Sequence, residues 1–115
     1  MADRPLLYRQ GDVLLRAVSS VPITATPVDR DAGRIILAYG EVTGHAHAIE
    51  APEAEATLLS AEENRRFLRL MADVDLVHEE HSTIQLSPGF YEVILQREWT
   101  DDDDDRHERL RWRFD

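Results

Sequence analysis

Residues 73–99 read DVDLVHEEHSTIQLSPGFYEVILQREW, and the period of this stretch decides the fold. Val74, Leu76, His78, Glu80, Ser82, Ile84 and Leu86 share one parity, which is the alternation of a half-buried strand and not the stripe of a helix. Ser87-Pro88-Gly89 then turns the chain. Phe90 to Trp99 follows with the β-branched and aromatic residues that favour extended backbone.

The same period runs outward in both directions. Val13, Leu15 and Ala17 alternate with Leu14, Arg16 and Val18, predicting a first strand. Residues 19–33 carry two prolines and an Asp/Gly-rich close, the marks of a long connection or an irregular edge segment. Arg34 to Val42, RIILAYGEV, starts apolar on both faces and predicts a central strand; Thr43-Gly44 interrupts it and HAHAI, 45–49, resumes. Beyond the polar loop EAPEAEA, 50–56, TLLS at 57–60 and RRFLRLM at 65–71 read as strands around AEEN, 61–64, a turn or single helical turn. With no sustained helical stripe, internal repeat or second unit, residues 1–115 form one all-β domain, a small barrel or sandwich.

Composition narrows the chemistry. A chain of 115 residues buries one modest core. The absence of cysteine removes disulfides, thiolate zinc sites and cysteine nucleophiles; all 13 basic residues are arginine, which removes Schiff-base and P-loop lysine chemistry. No G-x-S-x-G supports a serine triad. The net charge is −10, and five of those charges lie in the run Asp101–Asp105. A protein of this sign is repelled by phosphate backbones. The arginine stretches 64–69 and 106–113 have carboxylates beside them and read as solvated strand faces, so nucleic acid is not an expected partner. No apolar run approaches the roughly 20 residues that span a bilayer, and the N-terminal residues lack the order of a secretory signal. The expectation is a cytoplasmic protein without a membrane association.

Leu110, Trp112 and Phe114 alternate with Arg109, Arg111 and Arg113, so residues 90–114 predict a long β-hairpin whose tip is the acidic loop 100–106. Its arginine-rich face suits docking of a partner protein by edge pairing or by charge.

Four of the five histidines stand in two pairs, His45 with His47 and His78 with His81. Residues two apart on a strand share a face about 6.5–7 Å apart, a span that two imidazoles bridge by converging on one ion. His78 and His81 are an odd number apart, so a regular strand sends them to opposite faces. A bulge at Glu79-Glu80 re-aims His81 inward; without one, Glu80 shares parity with His78 and supplies the ligand instead. A two-residue hairpin at Glu79-Glu80 pairs Leu76 with Thr83 and Val74 with Gln85, mixing apolar and polar residues, and the pattern counts against it. The expected centre is therefore His45, His47, His78 and His81, with Glu80 as the alternative ligand, around one divalent transition metal: Zn, Fe, Mn or Ni. His81 is preferred because imidazole is the better ligand for a borderline ion. Catalysis by such a centre needs an open coordination position and a general base, for which Glu50, Glu79 and Glu80 are the candidates. The alternative is a non-catalytic accessory protein whose histidine cluster is structural. His107 reads as a surface residue.

A strand with His-x-His, a glutamate shortly after and a later histidine resembles the cupin metal site, which implies His45, His47, Glu50 and His78 or His81 as ligands. Glu50 stands one residue closer to His47 than that pattern usually has, and the Pro/Gly turn follows the second pair instead of preceding it. The chain is also similar to small bacterial proteins with GEVTGHAH near the middle and HEEH followed by a Pro-Gly turn and QREW, here Gly40 to His47, His78 to His81 and Pro88 to Trp99. That resemblance implies that the histidines act as one set, and it implies no reaction.

Overall fold

Ten strands, paired antiparallel in two sheets, account for the structure of residues 5–40 and 44–96, the residues described in the computed structural model. The large sheet runs in the spatial order β1 (Leu7–Gln10), β2 (Val13–Val18), β10 (Gly89–Leu95), β7 (Arg66–Leu70), β6 (Ala56–Ser60) and β3 (Thr26–Pro27). The small sheet is β4 (Ile35–Tyr39), β5 (Ala46–Ile49), β8 (Val74–His78) and β9 (His81–Leu86). Among the described residues no pairing joins the two into a closed barrel. Among the described residues the only helical segment is a 3₁₀ turn at Glu62–Asn64, and none is long and apolar enough to cross a membrane.

Alternation explains how the sheets meet. Val13 and Leu15 of β2 face the core together with Tyr91 and Val93 of β10, and the register aligns Leu15 with Val93 and Ala17 with Tyr91. Leu68 and Leu70 of β7 stand opposite Leu58 and Ala56 of β6. Against this face the small sheet lays Ile35, Leu37, Ile49, Val74, Leu76 and Leu86. Each fully buried aliphatic side chain contributes about 1.5–3 kcal/mol. Apolar burial is the main contact between the two faces.

The small sheet contains two bulges, and each is served by a side chain from the large sheet. Leu37 is the extra residue between the pairs Ile36–Ala48 and Ala38–His47, and its carbonyl accepts a hydrogen bond from Arg66 Nη2 at 2.7 Å. Between the pairs Leu76–Ile84 and His78–His81, β9 has one residue more than β8, and the carbonyls of Leu76 and Ser82 there accept from Gln10 Nε2 at 3.0 and 2.9 Å. A bulge interrupts the ladder, and a buried carbonyl without a donor costs about 1–3 kcal/mol. Arg66 and Gln10 supply those donors and tie sheet to sheet.

Two expectations change. Arg34 to Val42 is not central: β4 lies at an edge of the small sheet, and its two-sided apolar start reflects the bulge at Leu37, which shifts the alternation by one residue. The first strand along the chain is β1, which the sequence reading had left within the N-terminal stretch. Of the hairpin 90–114, β10 is in place between β2 and β7; the acidic loop 100–106, the arm beyond it and His107 lie outside the described residues.

On the outer face of the large sheet, Glu92 is buried between two arginines, 2.5 Å from Arg16 Nη2 and 3.1 Å from Arg65 Nε. The hydrogen bond from Arg65, reinforced by Arg16, holds the Glu92 carboxyl below its ordinary value of 4.5. A carboxyl depressed in the folded state stabilises it above the unfolded value and loses that contribution as pH falls. Thermal unfolding is therefore expected to shift downward as pH drops below 4.5. Because both arginines are about half exposed, Glu92→Gln is expected to cost only about 1 kcal/mol at neutral pH and to flatten the acid limb of a melting-temperature profile. A variant as acid-sensitive as the parent contradicts this.

Candidate metal centre

The odd spacing of His78 and His81 is resolved by the hairpin that the residue pattern had counted against. β8 and β9 turn at Glu79-Glu80, and His78 stands directly opposite His81, so both side chains leave the same face. The objection had been the mispairing of Leu76 with Thr83. The bulge at Ser82-Thr83 removes it: beyond that point Leu76 pairs with Ile84 and Val74 with Leu86, apolar with apolar. A bulge exists, as expected, but it lies in β9 after His81 and not at Glu79-Glu80. The hairpin aims the histidines, and the bulge returns the core to register.

β5 is the neighbour of β8, with Ala48 opposite Val77, and it brings His47 into the same space. The ring centroids are 4.3 Å apart for His47 and His78, 4.7 Å for His78 and His81, and 5.7 Å for His47 and His81. One ligating nitrogen from each ring lies within 4.8 Å of the other two. A tetrahedral ion bound at about 2.0–2.1 Å separates its ligand nitrogens by roughly 3.4 Å, so side-chain adjustments of about an ångström close the set. His47 is 3% exposed, His78 is partly buried and His81 is exposed, which grades the site from a buried floor to an open mouth.

Gln10 fixes the chemistry of the floor. Its Nε2 faces the carbonyls of Leu76 and Ser82, which only accept, so the amide orientation is determined and Oε1 is the atom 2.8 Å from His47 Nδ1. A carbonyl oxygen cannot donate, so the neutral His47 ring carries its proton on Nδ1 and its lone pair on Nε2. This is how an outer hydrogen bond selects the tautomer of a metal ligand.

The turn before Val13 supplies the remaining shape. Gly11 has φ +57°, the left-handed region that the first position of such a two-residue turn assigns to glycine. A Cβ there meets His81 Nε2 at 2.8 Å and His47 Cε1 at 3.3 Å. Glycine is needed twice over, by the turn and by the rings beside it.

His78 also receives the Glu80 backbone N–H on Nδ1, at 2.9 Å. An ion that takes Nδ1 replaces that donor; one that takes Nε2 needs the ring proton on Nδ1, which also ends that hydrogen bond. Burial, with His81 and His45 nearby, lowers the His78 pKa below 6.5, and that keeps the ring available as a neutral ligand.

The four expected histidines do not form one set; with Glu79 they fall into two sets that share His78. His47, His78 and His81 form one, and His45, His78 and Glu79 form a second. Glu79 is anchored by the Ala46 amide, which donates to Oε1 at 3.0 Å and lowers the carboxyl pKa. Glu80 belongs to neither set: its side chain is 61% exposed, with Oε2 3.4 Å from His45 Nδ1. Glu50 is exposed and also lies outside both. Sequence reasoning missed Gln10 and Gly11. Their signal was present as Gln-Gly-Asp between two short alternating runs, which reads as a two-residue turn with Gln10 and Tyr8 on the inward parity.

A family model described as a domain of unknown function (DUF8820) matches residues 9–96, a span that includes Gln10, Gly11 and all four clustered histidines. No curated protein and no solved structure matches the chain.

Removing the Gln10 amide strips donors from two carbonyls and the acceptor from His47. Gln10→Ala is expected to cost about 2–3 kcal/mol in denaturant unfolding. A cost below about 0.5 kcal/mol, within the range of ordinary surface changes, contradicts this role.

Proposed function

The chain belongs to the DUF8820 family of domains of unknown function, and we propose that it is a transition-metal-binding domain holding one ion on His47, His78 and His81. The observation that carries this reading is the convergence of three imidazoles, from β5 and both arms of one hairpin, over an amide that orients the buried ring. An incidental histidine cluster on a surface has no need of a buried glutamine satisfying two carbonyls and selecting one tautomer.

An all-imidazole set favours borderline ions. Among the metals considered, Zn²⁺, Ni²⁺ and Fe²⁺ suit it better than Mn²⁺, which prefers oxygen ligands and binds nitrogen sites least tightly. With three protein ligands, an ion held by His47, His78 and His81 would keep room for water or a small substrate, and exposed His81 marks the open side of the set. An ion there would act as a Lewis acid on that molecule, with Glu79 and Glu80 at the rim as the carboxylates nearest to it. Because the apolar core is complete without the ion, the metal serves chemistry or transfer and not folding.

Protein purified without a histidine tag is expected to bind one zinc or nickel ion per chain by calorimetry. His78→Ala and His81→Ala each reduce affinity by more than the tenfold to roughly hundredfold typical of losing an outer partner. Protons compete for the same lone pairs, so affinity falls as pH drops below 6.5. Chelator lowers the melting temperature only by the mass-action amount that bound ligand confers. Absence of metal from the parent, or unchanged affinity in both variants, contradicts the reading.

A further inference from the structure

The two ligating sets share His78 and differ in kind. His47, His78 and His81 offer three neutral nitrogens, one of them on a ring that is 3% exposed. His45, His78 and Glu79 offer two nitrogens and a carboxylate, with His45 at 23% side-chain exposure and Glu79 exposed. We propose that the second set is a loading position, from which an incoming divalent ion passes to the three-histidine position by exchanging His45 and Glu79 for His47 and His81 while His78 stays bound. This rests on the reading of the three histidines as a metal centre.

The donor sets favour that direction. A hydrated divalent ion approaching from water is drawn by an anionic carboxylate and loses part of its shell to it at low cost. The imidazole set then offers stronger ligands to a borderline ion, so the inner position is the resting one. Glu80 Oε2, 3.4 Å from His45 Nδ1, favours the proton on that nitrogen and leaves the lone pair of His45 on Nε2. The Ala46 amide holds Glu79 in place before any ion arrives.

The surface leading to the loading position has the matching sign. A cavity of about 210 Å³ is lined by Glu50, Glu79 and His78, with Arg34 on one side. A second, of about 360 Å³, shares Glu50 and Val77 with the first and adds Asp73 and Asp75. Four carboxylates against one guanidinium give this route a negative potential, which concentrates cations and speeds their capture. His45, Glu79 and Glu50 thus acquire related roles.

One ion at a time follows from His78. A neutral imidazole has a single lone pair, here on the Nδ1 that accepts the Glu80 N–H, so the ring serves one ion and gives up that hydrogen bond to do so. Simultaneous occupancy of both positions requires an imidazolate bridge and is not part of the proposal.

The test is stopped-flow zinc loading of the full chain from a chromophoric chelator, with equilibrium titration alongside, for the parent, Glu79→Gln, His45→Ala and His81→Ala. Glu79→Gln and His45→Ala are expected to slow loading at least about tenfold, with a much smaller loss of equilibrium affinity. His81→Ala breaks the inner set at an exposed residue and is expected to load at the parental rate but hold its ion weakly. The proposal is overturned if the two outer variants load at the parental rate, if their affinity falls as much as their rate, or if the parent takes up two ions. If the parent binds no zinc, the metal centre itself fails, an outcome distinct from parental loading by the outer variants.

Discussion

The centre of this molecule is one buried amide. Gln10 extends from the edge strand of the large sheet into the small one, donates to two carbonyls at a bulge and accepts from His47. Each contact constrains the next. Carbonyls at the bulge dictate which end of the amide is the donor, the amide dictates which nitrogen of His47 is protonated, and the tautomer dictates where the lone pair points. A side chain 3% exposed carries a chain of consequences from sheet packing to ligand chemistry.

The hairpin at Glu79-Glu80 shows how a site and a core are reconciled in the same strand pair. A tight turn places His78 opposite His81, but continued at that register it spoils the apolar pairing below. One extra residue in β9 restores Leu76 to Ile84 and Val74 to Leu86. The disruption is confined to a few residues, and the carbonyls beside it are those that Gln10 serves. Function and packing are in conflict here only over the length of the bulge.

Much of this was legible in the chain. Period-two alternation identified the strands and the all-β class because each sheet has one apolar inner face, and the two histidine pairs were conspicuous in a chain with five histidines. Other features resisted reading. The hairpin was set aside because a uniform register was assumed, and a single inserted residue inverts every parity beyond it. β4 looked central because Leu37, extra at its bulge, is buried along with its neighbours in the alternation. For Gln10 the turn and the inward parity could be read, but its role could not: β1 has only four residues, and a polar side chain at an inward position acquires meaning only from the strand across the core.

The apolar faces of β2, β6, β7 and β10 close against β4, β5, β8 and β9, and the histidine sets lie where β5 meets the β8–β9 hairpin. The most direct test is a long-range ¹H–¹⁵N spectrum of the histidine rings before and after one equivalent of zinc. The account predicts His47 protonated on Nδ1 in the metal-free protein, with its Nε2 resonance moving on addition of zinc together with those of His78 and His81. A proton on His47 Nε2, or imidazole resonances indifferent to zinc, contradicts it.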